Sequence, residues 1–257
     1  TIWEFSLQYL VYEFLFISLA KFINPKLKVI GTGLGIGPIE SRLYEFIFTI
    51  FINKFDYVFT RENISYEIVR YMNDNAHLTS ISDDAMMLLP IFKSVERKGR
   101  ENIFAINLKF DMQHDYSGVK NSIQNLIVFL HSMGYKVEFF SFGMDHHALK
   151  VFDKGIVEHL TIHNPYEEGF STFLQNLSRA KVGLGFAYHF SILCSIFNIP
   201  AVCVFSDEYY SQKIEGVTLK ITPGQKILHA DDLAFMSPQE ILKGLDVLNE
   251  NYREEIF

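Results

Sequence analysis

The first 23 residues are the most apolar stretch of the chain, but Glu4, Gln8, Glu13 and Lys21 interrupt them well before about 18 uninterrupted apolar residues accumulate. The pattern predicts a helix packed on a sheet and no membrane span. Neither a basic leading region nor a small-residue cleavage site precedes it, so it does not read as a signal peptide. From Lys26 onward, short apolar runs alternate with segments of helical period, the arrangement of βαβ units and a mostly parallel sheet. The first half predicts a buried strand at 27–31, a helix at 39–53, and strands at 56–60 and 78–81 around a helix at 65–72. The charged, glycine-containing run from Ser94 to Asn102 is the one strong break in composition. It divides the chain into an N-terminal domain at 1–94, a linker at 95–102 and a C-terminal domain at 103–257. In the second half, strands are predicted at 103–108, 136–141, 157–161, 181–184 and 201–205, with helices at 118–133, 148–154, 169–178 and 189–197. A closing helix starts at Ser237-Pro238-Gln239-Glu240, where Ser caps, Pro takes the first helical position and Glu completes the box. The fold class is α/β, and two such units place a ligand in a cleft at the carboxyl ends of their strands.

Composition narrows the classes of function. The 257 residues are 49% hydrophobic and 21% charged, which supplies a sizeable core and excludes intrinsic disorder. Lys and Arg number 23 against 30 Asp and Glu, so a net charge of -7 gives no general attraction to nucleic acid or anionic lipid. A local basic pocket for a small anion remains allowed. Cys194 and Cys203 form no CxxC pair and no metal-ligand array, and read as reduced core residues. Together with the missing targeting signal, they predict a cytoplasmic location. The chain starts at Thr1 and enters a helical pattern at once, from which a segment upstream is expected.

Several stretches carry candidate chemistry. Gly31-Thr32-Gly33-Leu34-Gly35-Ile36-Gly37-Pro38 follows a strand and precedes a helix, so its backbone amides can face an anion at a helix N-terminus. Its spacing is neither the dinucleotide fingerprint nor a P-loop, and a plain strand-to-helix turn explains it almost as well. Arg61 and Glu62 come just after a strand, where Arg61 either forks onto a carboxylate or phosphate or pairs inside its domain, and Ser65 is placed as a helix cap. Ser82-Asp83-Asp84 also follows a strand; Asp83 is a candidate base or a turn residue. Asp145-His146-His147 has no second ligand cluster at matching spacing and reads as a helix cap with exposed histidines, so no metal site is predicted. Nothing in the sequence links His114, His159 and His163. The most informative stretch runs from Lys181 to Cys194: a strand enters a turn at Gly185, and His189 opens a helix where backbone amides and the helix dipole favour an anion. Tyr209, Tyr210 and Lys213 follow the next strand on the same rim.

Taken together, these residues resemble the polysaccharide pyruvyl transferase family. Gly33 to Pro38 is similar to its Gly-x-Gly-x-Gly-Pro turn, Arg61, Glu62 and Ser65 to its Arg-Glu-x-x-Ser element, and Asp83-Asp84-Ala85-Met86 to its Asp-Pro-Ala-Phe segment. The Gly-x-Arg-x-His hallmark aligns with Gly185 to His189, and the strand that opens the family's second domain with Asn107-Leu108-Lys109. Two positions depart: Ala187 stands where the hallmark has Arg, and Lys109 where the strand ends in Arg. The family's leading strand and Asn-Gly-Asp loop have no counterpart here. The resemblance implies two Rossmann-like domains in a glycosyltransferase type B-like fold, the N-terminal one incomplete. It implies transfer of pyruvate from phosphoenolpyruvate to a saccharide or lipid-linked saccharide as a ketal, with no cofactor and no metal. By the same resemblance His189 serves as acid or phosphate ligand and Asp83 as base. Gly33, Gly35, Arg61, Lys109, Gly185, Tyr210 and Lys213 then contact substrate. Two other classes stay open: a nucleotide-sugar glycosyltransferase of the same architecture, and a non-catalytic saccharide-binding relative, which Ala187 favours.

Overall fold

The computed structural model describes residues 2–36, 39, 41–73, 77–80, 84, 99–109, 117–142, 149–150, 152–206, 211, 225–243 and 245. The chain divides into two compact units, Thr1–Met87 and Leu88–Phe257. Of the run expected as a linker, 95–98 lies outside the described residues.

In the first unit α1 (Ile2–Ile23) leads to β1 (Ile30–Leu34), α2 (Arg42–Ile52), β2 (Tyr57–Thr60), α3 (Asn63–Met72) and β3 (His77–Ser80). The strands form a parallel sheet in the order β1-β2-β3. Its core gathers Leu10 from α1, Phe48, Phe51 and Ile52 from α2, Val58 from β2 and Val69 from α3. Asp56 fastens the unit's opening: its carboxylate accepts the Val29 amide at 2.9 Å and the ammonium groups of Lys21 and Lys28 at 3.0 Å each. The Val29 amide, then the two lysines, hold that carboxyl well below the usual range. These contacts also correct the first strand. It begins at Ile30 rather than 27, because the Asp56 carboxylate takes the Val29 amide and the strand continues into the glycines, with only Gly31 of its residues buried. Ser65 is no cap either: α3 starts at Asn63 after Glu62, and Ser65 sits buried in the first turn.

The second unit contains β4 (Ile103–Asn107), α4 (Ser117–Ser132), β5 (Lys136–Phe140), α5 (Lys154–Val157), β6 (Thr161–His163), α6 (Pro165–Glu168), α7 (Phe170–Ser178), β7 (Val182–Gly185), α8 (Tyr188–Ile196), β8 (Ala201–Phe205), β9 (Gln225–His229) and α9 (Ala230–Phe235). Six parallel strands lie in the order β6-β5-β4-β7-β8-β9. Counted from β4, this is 3-2-1-4-5-6, the doubly wound Rossmann order. Every residue of β4 is buried, as befits a central strand covered on both faces. Against it α4 sets Val119, Ile123, Leu126, Ile127 and Leu130, an apolar stripe at helical spacing. Residues 238–243 are helical behind the expected capping box. There Ser237 Oγ donates to Glu240 at 2.7 Å and accepts the Glu240 amide at 3.3 Å. Cys194 and Cys203 are free and buried, and burial pushes the Cys203 thiol up to about 12. No described helix is long and apolar enough to cross a membrane.

Three expectations shift in this unit. The helix read at 148–154 begins only at its last residue, as α5 at Lys154. The strand read at 157–161 is instead the end of α5 and a turn, and the edge strand follows at Thr161. Downstream, β9 and α9 complete the sheet although the sequence reading placed no strand there. At the opposite edge, a polar network centred on the buried His163 and Glu138 anchors β6. His163 Nε2 lies 2.9 Å from Glu138 on β5 and its Nδ1 3.3 Å from Glu168. Asn176 donates to Glu168 at 2.9 Å and accepts from Arg179, whose guanidinium forks onto Glu101 at 2.8 and 3.2 Å. Burial opposes a charged His163, but the bonds to Glu138 and Glu168 outweigh it and raise its pKa above the usual 6.5. A raised folded value means that this contribution to stability is complete below about pH 6.5 and fades as pH rises through the folded pKa. Urea unfolding across this range tests it: the stability gap between the unaltered chain and His163→Gln narrows with rising pH, and a constant gap refutes a charged histidine.

Candidate functional site

In a doubly wound sheet, ligands bind where neighbouring strands send their connections to opposite sides, at the carboxyl ends. In the second unit that point lies between β4 and β7. Asn107 ends β4 and is fully buried. Its side-chain amide donates to the Phe140 carbonyl of β5 at 2.8 Å, and its oxygen accepts the Ala187 amide at 2.8 Å. The Asn107 main-chain carbonyl accepts the Phe186 amide at 3.2 Å. One residue thus joins three strand ends and sets the turn that enters α8. Lys109 emerges two residues beyond Asn107 and is exposed.

Ala187 is the N-cap of α8 and buried; His189 lies in the first helical turn and is exposed, its ring edge-on to Tyr188 at 5.4 Å between centroids. Helix N-termini carry roughly half a positive charge, so His189 projects from a place that favours an anion. From Phe190 to Ile196 the helix is buried throughout. Its fit depends on Gly183 and Gly185, which lie on one face of β7. A Cβ on Gly185 would collide with the Phe190 ring, and one on Gly183 would come within 3.1 Å of it. The bare position at Gly185 therefore makes room for Phe190. Gln225 of β9 holds the helix from below. Its amide donates to the Ser191 carbonyl at 2.7 Å and to Ser195 Oγ, and its oxygen accepts from the Cys203 thiol at 3.2 Å. Sequence reasoning singled out neither Asn107 as the builder of this turn nor Gln225.

The first unit assembles a second cluster at the strand ends. Between Gly31 and Leu34, β1 carries one residue more than β2, a bulge centred on Thr32 and Gly33. Gly33 has φ +59, open to a residue without a Cβ, and the Asp84 carboxyl packs where that Cβ would stand, 2.6 Å away. Thr32 Oγ1 donates to the same carboxylate at 2.9 Å. At Gly35 a side chain would strike the Arg61 guanidinium. Arg61 Nε donates to Glu62 at 2.9 Å, so the pairing inside the domain, one of its two sequence readings, is present. Ser65 Oγ accepts the Ile36 amide at 2.6 Å and donates to Glu62, which locks the glycine turn to α3. Asp83, Tyr210 and Lys213, like Asp145-His146-His147, lie outside the described residues. Among the described residues no group of His, Cys, Asp and Glu is arranged to hold a metal ion.

The sequence model of the polysaccharide pyruvyl transferase family matches residues 3–207. This chain belongs to that family. No curated protein matches it. Solved structures share the fold at low identity. UDP-GlcNAc 2-epimerase from Methanocaldococcus jannaschii superposes with a TM-score of 0.55 at 13% identity, over 88% of this chain and 64% of that one. The same epimerase in complex with UDP-GlcNAc and UDP gives 0.54 at 10% identity, over 93% and 74%. E. coli ADP-heptose LPS heptosyltransferase II gives 0.48 at 11%, over 77% and 70%. By the two epimerase matches, this pyruvyl transferase family member has the glycosyltransferase B-like fold expected from its sequence. It spans less than two thirds of the first epimerase structure.

For this family member the turn between β7 and α8 rests on the Asn107 carboxamide, and that dependence is measurable. Asn107→Ala strands two buried hydrogen-bonding partners, at about 1–3 kcal/mol for each group left unsatisfied. Urea denaturation is expected to show a loss of roughly 2–4 kcal/mol, whereas a loss under about 0.5 kcal/mol, the range of an ordinary surface change, refutes the role.

Proposed function

We propose that the chain transfers pyruvate from phosphoenolpyruvate to a saccharide, free or lipid-linked, as a cyclic ketal. Support comes from the family match over residues 3–207, and the observation that carries the reading is the exposed His189 on the first turn of α8 at the switch point of a Rossmann sheet. In this chemistry a sugar hydroxyl adds to the central carbon of the enolpyruvyl group while an acid protonates its methylene. A second hydroxyl then displaces phosphate to close the ketal, its proton leaving with a base. His189 supplies the proton or binds the phosphate, aided by the positive end of α8. Lys109 supplies a point charge for the donor's anionic groups. The resemblance gives Arg61 a similar part, which its bond to Glu62 weakens, and gives Asp83 the role of base. Gly33, Gly35, Gly185, Tyr210 and Lys213 complete the proposed substrate contacts. No cofactor or metal enters these steps. A cytoplasmic setting belongs to the same reading and is supported by the two free, buried cysteines.

A second reading rests on Ala187. A methyl group offers no guanidinium fork, so a saccharide-binding protein without turnover is the rival that this residue favours. Calorimetric titration with phosphoenolpyruvate separates the two. Saturable binding to the unaltered chain, weakened about tenfold or more in His189→Ala, that is by about 1.4 kcal/mol, supports transfer. Binding by Ala187→Arg alone favours the non-catalytic relative. If every folded variant fails to bind phosphoenolpyruvate but the unaltered chain binds a uridine or guanosine diphosphate sugar, the donor is a nucleotide sugar and the pyruvyl reading falls.

A further inference from the structure

Helix α1 turns one face into the core of its unit and exposes a second face of the same apolar character. Leu10, Phe14 and Ile17 pack inward. On the outer side Tyr12, Leu15, Phe16, Leu19, Phe22 and Ile23 are 56% to 83% exposed. A single exposed leucine needs no explanation, whereas a contiguous stripe of this kind marks an interaction surface. Its spacing of i, i+3, i+4, i+7, i+10 and i+11 is the heptad seam by which one helix packs on another. With aromatic side chains at about 150–250 Å² each, the stripe offers on the order of 700 Å². That exceeds the roughly 300–600 Å² of the largest patch on an ordinary monomer and approaches the ~800 Å² per partner of a standard interface.

We propose that this stripe docks on α1 of a second copy of the chain, forming a two-fold-symmetric helix pair. Four of the six positions read the same in both directions: an axis crossing between Phe16 and Leu19 sets Tyr12 against Ile23 and Phe16 against Leu19, with Leu15 and Phe22 flanking this seam. Charge argues against a lipid surface as the occupant. Glu13 is exposed in the same helix, Lys21 is engaged by Asp56, and the chain carries -7, so the cationic fringe of lipid-binding helices is missing there. The inference is independent of the proposed reaction.

Sedimentation velocity of the full 257-residue chain, over a wide concentration range, tests it. The unaltered chain is expected to sediment as a dimer at the upper concentrations. Phe16→Glu halves the mass without changing the circular dichroism, because Phe16 is not part of the core. Phe235→Glu, at a 90% exposed position in the other unit, leaves the dimer intact. A chain that stays monomeric throughout, or a dimer that survives Phe16→Glu, overturns the proposal. So does a monomer that floats with phosphatidylcholine–phosphatidylglycerol vesicles and loses this in Phe16→Glu, which would assign the stripe to lipid.

Discussion

A buried carboxamide has to satisfy both of its ends, and in the second unit that requirement fixes the geometry on which the candidate site stands. β4 and β7 stay paired as far as the bond from the Phe186 amide to the Asn107 carbonyl; beyond it the Ala187 amide has no strand partner, and buried polar groups left unpaired are costly. Asn107 closes the gap with one side chain, donating to β5 and accepting from the amide of Ala187. The strand ends around it therefore carry groups already engaged, and the exposed Lys109 and His189 that follow them stand on anchored backbone. A glutamine would reach too far and an aspartate could not donate to Phe140, so the length and the dual character of asparagine are both used.

The glycines follow from a related constraint. A glycine-rich turn is commonly read as bare backbone offered to a ligand, and the three glycines singled out as substrate contacts here have neighbours of their own. Gly33 yields to the Asp84 carboxyl, Gly35 to the Arg61 guanidinium, and Gly185 to the Phe190 ring. In the first two cases the neighbour is charged, but with opposite signs: the Arg61 guanidinium beside Gly35 suits an anion, whereas the Asp84 carboxylate beside Gly33 repels one. In the third the neighbour is an aromatic anchor of α8, and Gly185 acts on the site through the position of that helix.

These distinctions explain how much was legible beforehand. Strands β4, β5, β7 and β8 are compact apolar runs, and the sequence places them to within a residue or two because burial on both faces leaves a continuous signal. Edge strands carry no such signal: β6 has three residues, two of them exposed, and β9 is only partly buried along its length. The Lys226-Ile227-Leu228 core of β9 is too short to stand out beside charged neighbours. Asn107 looked like the end of a strand, since its bonds reach residues 33 and 80 positions away. His163, Glu138 and Arg179 were isolated letters for the same reason; their network exists only once β5, β6 and α7 are packed. The place of His189 at a helix start was legible, because that signal is local: a strand, a turn and a helix start within eight residues.

What the two departures from the family pattern do to an anion at this turn can be argued from position alone. Residue 187 is the N-cap of α8, with its Cβ buried and its amide consumed by Asn107. An arginine there would bury its stem against the turn and extend its head to the helix end, where a long amphipathic side chain is well accommodated. With alanine, the fixed positive character at that end reduces to the helix terminus itself, roughly half a charge spread over backbone amides, with His189 able to add a full charge only when protonated. Lys109 is an ammonium, a point charge that attracts an anion without the bidentate geometry that fixes its orientation. The helix start favours negative charge, but with Ala187 the turn has no planar fork to hold a carboxylate or phosphate in one orientation. On the proposed reading, donor orientation would fall to the imidazole and to the backbone that Asn107 holds in place.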